Sequence, residues 1–224
     1  MSLALSGNLV LVGAGKMGGA MLEGWLKSGA DPKKVIVLDP FAADEMKALL
    51  ARHGVSLNPA IAGIANAEVI LIAVKPQMME EVLPAIVGLG ASKPLILSVA
   101  AGKTIASFER HFGKSAAIIR TIPNTPASIG RGITAMSANA AVTAAQMKLA
   151  TELLSAIGEV VIVDREELID SVTAVSGSGP AYVFYLTECL AAAAEKVGLP
   201  PALAMQLARA TVAGSGELMR VTGT

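Results

Sequence analysis

Near the start of the chain an apolar run, Leu9-Val10-Leu11-Val12, ends in Gly13-Ala14-Gly15-Lys16-Met17-Gly18, and a helical pattern follows at once. This Gly-x-Gly-x-x-Gly spacing suits a pyrophosphate. Gly13 permits a tight turn out of a strand, Gly15 lets a phosphate reach the backbone, and Gly18 lets a helix pack closely on a sheet. The phosphates then face unpaired N–H groups at the start of the helix. A second apolar run, residues 35–38, ends in Asp39. A carboxylate there accepts hydrogen bonds from a ribose diol and repels a 2′-phosphate, and no Arg or Lys follows closely enough to compensate. The pattern therefore predicts a dinucleotide site that favours NADH over NADPH. The glycine spacing alone also fits an ordinary strand-to-helix turn; the flanking strands argue for the ligand.

Three more strand-end loops should line the same crevice: Ala73-Val74-Lys75-Pro76, Val99-Ala100-Ala101-Gly102 and Pro123-Asn124-Thr125-Pro126. Their small residues leave room for a flat ring. Lys75 either faces a phosphate or ribose or is a solvated surface lysine. Asn124 either holds an amide or a ligand or is a turn residue bonded to its own backbone. His53 and His111 precede glycines at helix ends and read as favourable to the helix dipole. Cys189, in an Ala-rich stretch, reads as a small buried hydrophobe. Glu166-Glu167 reads as a helix-start feature. No His/Asp or Cys/His arrangement argues for nucleophilic catalysis, and two histidines with one cysteine leave little for a transition-metal site.

The elements that must position these residues alternate. Buried, β-branched runs at 68–74, 95–98 and 116–120 are separated by helical patterns, which predicts a mostly parallel, doubly wound α/β sheet. Short helices are expected at 59–65, 77–87 and 104–112, the last capped by Thr104. A strand at 133–136 follows, then a helix opened by a Thr143/Gln146 capping box, then a strand at 160–163. From Asp164 on the pattern is helical, opened by an Asp164/Glu167 capping pair and broken at residues 176–180. The chain thus divides into residues 6–164, a dinucleotide-binding domain, and residues 165–224, an all-α region. That region carries Ala208, Ala210, Ala213 and Gly214 at close spacing and is too short to form a large core. It is expected to pack on a second copy as a homodimer.

Composition narrows the classes. The 18 basic and 18 acidic residues cancel, so no basic field argues for nucleic acid or an anionic membrane. The apolar runs fall short of a membrane span, no signal-peptide pattern opens the chain, and a single cysteine excludes an internal disulfide. A soluble, cytoplasmic protein is expected.

At Ser176-Gly177-Ser178-Gly179-Pro180-Ala181-Tyr182, preceded by residues 170–175, the sequence closely resembles pyrroline-5-carboxylate reductase. So do Ala73-Val74-Lys75-Pro76-Gln77, Ser98 to Gly102, and Arg120-Thr121-Ile122-Pro123-Asn124-Thr125-Pro126, in the same order and spacing. The resemblance covers nearly the whole chain. It implies an N-terminal Rossmann domain and a C-terminal helical domain that dimerises by interlocking, with rings of dimers in some members. The implied reaction is hydride transfer from NAD(P)H to the ring imine of 1-pyrroline-5-carboxylate, giving L-proline. The resemblance carries the cofactor site to Gly13, Ala14, Gly15, Lys16, Met17, Gly18, Asp39, Ala73, Val74, Lys75, Pro76, Ala100, Ala101 and Asn124. It places Glu166, Thr173, Ser176, Gly177, Ser178 and Gly179 near the substrate. Thr173, Asn124 and Ser178 are the candidates for contact with the reacting centre. A protonated imine is already electrophilic, so such an enzyme chiefly positions donor and acceptor. The family also has a Ser-Pro-Gly-Gly-Thr-Thr segment that holds the substrate carboxylate. It lies past the point matching Thr224, so residues 1–224 alone are expected to bind dinucleotide but to reduce pyrroline-5-carboxylate poorly.

Two other readings remain at this level. A β-hydroxyacid or ketopantoate dehydrogenase has a similar domain plan, but needs a lysine near an asparagine in its second domain. Here no asparagine follows Asn139 and Lys196 sits at a helix end. A non-catalytic dinucleotide-binding, dimerising module is the other.

Overall fold

In strand β1 (Asn8–Val12), Leu9 and Leu11 belong to one buried cluster and Val10 and Val12 to another. Successive side chains on a strand point to opposite faces, so a run that is apolar throughout must be covered on both sides. The computed structural model, which describes residues 3–223, shows both covers. After β1 come α1 (Lys16–Lys27), β2 (Val35–Leu38), α2 (Asp44–His53), β3 (Ser56–Leu57) and β4 (Ala67–Ile72). Then follow α3 (Met79–Ile86), β5 (Leu95–Ser98), α4 (Ile105–Phe112), β6 (Ala117–Ile122) and β7 (Gly132–Ala138). The order ends with α5 (Ala144–Ser155), β8 (Gly158–Ile162), α6 (Leu168–Val172), α7 (Gly179–Lys196) and α8 (Pro201–Thr222).

The strands form one sheet in the order β3-β2-β1-β4-β5-β6-β7-β8. Every pairing is parallel except β6 with β7. On one face Met21, Leu22 and Trp25 of α1 and Leu153 and Leu154 of α5 pack over Leu9, Leu11, Leu71 and Leu97. The Trp25 indole donates to the Leu153 carbonyl at 2.9 Å, so the largest side chain of that core leaves no polar atom unpaired. On the other face Leu83 and Ile86 of α3 and Phe108 of α4 pack over Val10, Ile70, Ile96 and Ile118.

Two helix starts behave as their residues dictate. Thr143 and Gln146 form the expected capping box, and the Thr104 hydroxyl caps α4 by accepting from the Ser107 N–H. Others differ. The 59–65 segment holds only a 3₁₀ turn, Ile61–Gly63. Helix α6 begins at Leu168 with no side-chain cap from Asp164, because residues 164–167 run as a bend and turn and Glu167 takes the N-cap position. The break expected at 176–180 narrows to a bend at Ser178; Ser176 and Gly177 instead close a π-helical segment, Thr173–Gly177. Cys189 is exposed on α7 rather than buried, since α7 and α8 pack on each other through Ala191, Ala204 and Ala208 instead.

The chain separates into two compact units, the first running through Gly177 and the second starting at Ser178. Helix α6 and the π segment belong to the first because side chains of β6 and its following loop hold them there. The second is the α7–α8 hairpin. Among the described residues no helix is long and apolar enough to cross a membrane, and no group of three or more His, Cys, Asp or Glu side chains converges as a metal would need.

Candidate active site

The sheet order reverses beside β1, with β2 on one side and β4 on the other. In an open parallel sheet that reversal leaves a crevice at the carboxyl ends of the strands, where ligands bind. The glycine loop leaves β1 at that point. Gly13 has φ +90, and a Cβ there would lie 2.9 Å from the Ala73 carbonyl oxygen and from Val74 Cγ1. The loops after β1 and β4 therefore touch, joined also by the Ala73 N–H donating to the Val12 carbonyl at 2.8 Å. A Cβ on Gly18 would stand 2.1 Å from the Gly13 carbonyl oxygen, so α1 can approach the turn only without one. A Cβ on Gly15 would meet nothing within 4 Å. The backbone is bare there by the absence of a side chain and not by crowding, as a cradle for a pyrophosphate requires.

Asp39 lies beside this loop. Its Oδ2 accepts from the Ala14 N–H at 2.8 Å and its Oδ1 from the Phe41 N–H at 2.9 Å. The side chain is half-buried, and each oxygen keeps a lone pair for a further donor. The adenosine end of a dinucleotide fits this combination of bare glycine backbone and diol acceptor. Lys75 is exposed and makes no ion pair among the described residues. It stands at the start of a 3₁₀ turn, Pro76–Met78. Lys16 is exposed at the start of α1, and Met17 packs partly onto the core. In the loop after β5, the Ser98 hydroxyl accepts from the Ala100 N–H at 3.2 Å, and the Ser98 carbonyl accepts from the Thr121 hydroxyl at 2.9 Å. These bonds bury Ala100 and leave Ala101 exposed.

At the end of β6 the Asn124 amide is a bridge. Its Nδ2 donates to the Ser176 carbonyl at 3.1 Å and its Oδ1 accepts from the Ile133 N–H at 3.0 Å. It is thus neither a turn residue bonded to its own backbone nor a free amide; one N–H and one lone pair remain. The π segment it anchors brings Thr173, Ser176 and Gly177 to the end of β6. A Cβ on Gly177 would lie 3.2 Å from Thr173 Cγ2 and 3.6 Å from Ile122 Cγ1. The hydroxyls of Thr173 and Ser176 donate to carbonyls four residues back, at 2.7 and 3.2 Å. Both keep lone pairs as acceptors. A π turn inside a helical run often marks a functional site. Ser178 and Gly179 begin the second unit.

Glu166 is held by backbone and guanidinium donors of the first unit. Its Oε1 accepts from the Ile105 N–H at 2.8 Å and from Arg120 Nη1 at 3.2 Å, while Arg120 Nη2 donates to Asp170 at 2.8 Å. Sequence reasoning did not single out Arg120. The signal was available, since a guanidinium inside the buried strand Ala117–Ile122 must find carboxylates. Asn58 also escaped notice. It has φ +50, and its amide bonds the Asp39 backbone at both ends.

The strand order and the glycine cradle define a Rossmann-type dinucleotide-binding protein. Comparison with known proteins narrows this. Residues 166–224 match the family described as pyrroline-5-carboxylate reductase dimerisation, and residues 8–102 match NADP oxidoreductase, coenzyme F420-dependent. A pyrroline-5-carboxylate reductase from Synechocystis is 41% identical over 97% of this chain and 81% of its own. The structure of a pyrroline-5-carboxylate reductase from Coxiella burnetii superposes with TM-score 0.89 at 33% identity, covering 98% of this chain and 82% of that one. The NADP-bound pyrroline carboxylate reductase of Plasmodium falciparum superposes at 0.82 with 26% identity, covering 98% and 80%. The chain belongs to the pyrroline-5-carboxylate reductase family.

Proposed function

We propose that this protein reduces 1-pyrroline-5-carboxylate to L-proline with NAD(P)H, the last step of proline biosynthesis. The observation that carries the reading is that a bare glycine cradle after β1 and the Asn124–Ser176 bridge after β6 both lie at the carboxyl ends of the strands of one sheet. Reduced nicotinamide, when bound, supplies a hydride to the imine carbon. The chain's residues do the rest. Gly15 to Gly18 offer backbone N–H groups to the pyrophosphate, while Gly13 and Ala14 donate theirs to Leu38 and Asp39 and shape the turn; Ala73, Ala100 and Ala101 supply small residues for the nicotinamide half. Thr173, with Asn124, presents oxygens able to accept from the protonated ring nitrogen. No strong acid is needed, because the iminium already carries its proton.

The cofactor preferred is NADH. Asp39 offers a fixed carboxylate to the ribose diol, and the first cation after it in sequence, Lys47, is paired with Asp44 at 2.9 Å. The protein acts in the cytoplasm as a homodimer built through the α7–α8 region, alone or in rings of dimers. Its balanced charge supports no role for nucleic acid or an anionic membrane. The test is oxidation of NADH by the full-length protein on addition of pyrroline-5-carboxylate, with proline as product. Proline formation is expected; turnover of 2- or 3-keto acids in its place would overturn the reading. Asp39→Ser should shift preference toward NADPH, read by fluorescence titration.

A further inference from the structure

We propose that Asn58 sets the choice between NADH and NADPH by fixing Asp39, an inference that rests on the NADH reading above. Strands β2 and β3 pair in parallel through Ile36–Ser56 and Val37–Leu57, and the pairing ends there. Asn58 is the next residue. Its own N–H donates to the Val37 carbonyl at 2.8 Å. Its side chain then continues the ladder. Asn58 Oδ1 accepts from the Asp39 N–H at 2.7 Å, and Asn58 Nδ2 donates to the Asp39 carbonyl at 2.9 Å. One primary amide thus binds both polar groups of one peptide residue, as a neighbouring strand would. The backbone of Asn58 takes φ +50 to present it so, a conformation that asparagine tolerates better than most residues.

The result is an Asp39 held on every side. Asn58 holds its backbone, the Ala14 N–H holds Oδ2 and the Phe41 N–H holds Oδ1. The carboxylate cannot turn away without breaking one of these bonds. Its remaining lone pairs stay aimed at the crevice, where they accept from a 2′,3′-diol. A 2′-phosphate in the same place meets a negative charge that has no alternative position, and two like charges at contact distance repel strongly in a half-buried site. Without the clamp only the Ala14 and Phe41 N–H groups hold Asp39, its backbone is loosened, the carboxylate turns aside more readily, and the penalty against the phosphate falls. Asn58 is therefore a positioning residue. It acts through Asp39 and touches neither reacting centre.

The experiment is a double-mutant cycle on the full-length protein, with NADH and NADPH dissociation constants measured by fluorescence titration. Asn58→Gly keeps the left-handed backbone and removes the clamp. It is expected to weaken NADH about fivefold, the scale of one net hydrogen bond, and to leave NADPH unchanged or more tightly bound because the repulsion falls. In an Asp39→Ser background the same substitution should change NADH affinity less than about twofold, since the residue it acts through is gone. The KM for pyrroline-5-carboxylate should not move. Equal weakening of both cofactors, no weakening of either, or an undiminished effect in the Asp39→Ser background would overturn the proposal. A wild-type protein without NADH preference would overturn the cofactor reading instead, while the 39–58 coupling in NADH affinity still decides this one. If Asn58→Gly does not fold, Asn58→Asp serves. It tolerates the same φ, keeps the acceptor for the Asp39 N–H and loses the donor, and the same coupling is expected.

Discussion

Arg120 shows how one residue can tie distant parts of a fold. Its side chain is 5% exposed, whereas Glu166 is 25% exposed and Asp170 78% exposed. The two contacts are therefore unequal. The Asp170 carboxylate is in water and screened, so Asp170→Asn should cost less than about 1 kcal/mol. Removing the buried guanidinium leaves Glu166 partly desolvated and without its cation. Arg120→Met should cost about 3 kcal/mol, measured by equilibrium denaturation. A loss under Arg120→Met no larger than under Asp170→Asn would show that the Glu166 contact carries nothing. Because α6 leads into the π segment, Arg120→Met should also raise the KM for pyrroline-5-carboxylate more than that for NADH. Glu166, expected beside substrate, belongs to this network through its bonds to Ile105 and Arg120.

At the scale of elements, the β1–α1 turn separates fold from function within one motif. Gly15 and Gly18 differ in what a methyl group would meet: nothing within 4 Å at the first, a carbonyl oxygen at 2.1 Å at the second. Gly15→Ala should leave stability unchanged and weaken dinucleotide binding on the order of tenfold, because the new Cβ points where the pyrophosphate must come. Gly18→Ala should cost about 2–3 kcal/mol of stability, because α1 must back away from the turn. Thermal and denaturant unfolding alongside cofactor titration distinguish the two; equal loss of stability in both would refute the assignment. The parallel strands behind this turn carry apolar residues on both faces, so they cannot yield to relieve the clash.

At the scale of the whole molecule, the α7–α8 hairpin leaves its large side chains uncovered. Within it Ala191, Ala204 and Ala208 are buried, while Tyr182, Phe184, Tyr185 and Leu186 on α7 and Leu203, Leu207, Leu218 and Met219 on α8 are exposed. Small residues let the two helices meet closely, and the bulky ones remain outside the contact. An apolar surface of this kind marks a face that another chain covers, and the dimerisation match at 166–224 agrees. Light scattering at micromolar concentration should give twice the chain mass. Phe184→Asp should shift that mass toward the monomer, since a carboxylate placed in a desolvated interface has no cation to meet. A monomeric wild type would refute the homodimer.

What the sequence alone determined was what acts over a few residues. Apolar runs specified buried parallel strands, the glycine spacing specified the cradle, and Thr143 with Gln146 specified a helix start, because side-chain alternation, steric room and capping are all local. Asp39 and Asn124 could be singled out as candidates in the same way, from their places at strand ends. What only the tertiary structure decided was who meets whom. Arg120 finds carboxylates 46 and 50 positions away, Asn124 reaches a carbonyl 52 away, and Asn58 clamps a backbone 19 away. Those distances close because β6 lies beside β7 and because β2 pairs with β3, and no local pattern encodes strand order. The same cause turned Glu166 toward Arg120 and drew Ser176 and Gly177 into the π segment Thr173–Gly177, where the glycines and serines of 176–180 alone indicated a turn. A charge or amide takes the partner that the sheet brings within hydrogen-bond distance, whatever its own neighbours in sequence prefer.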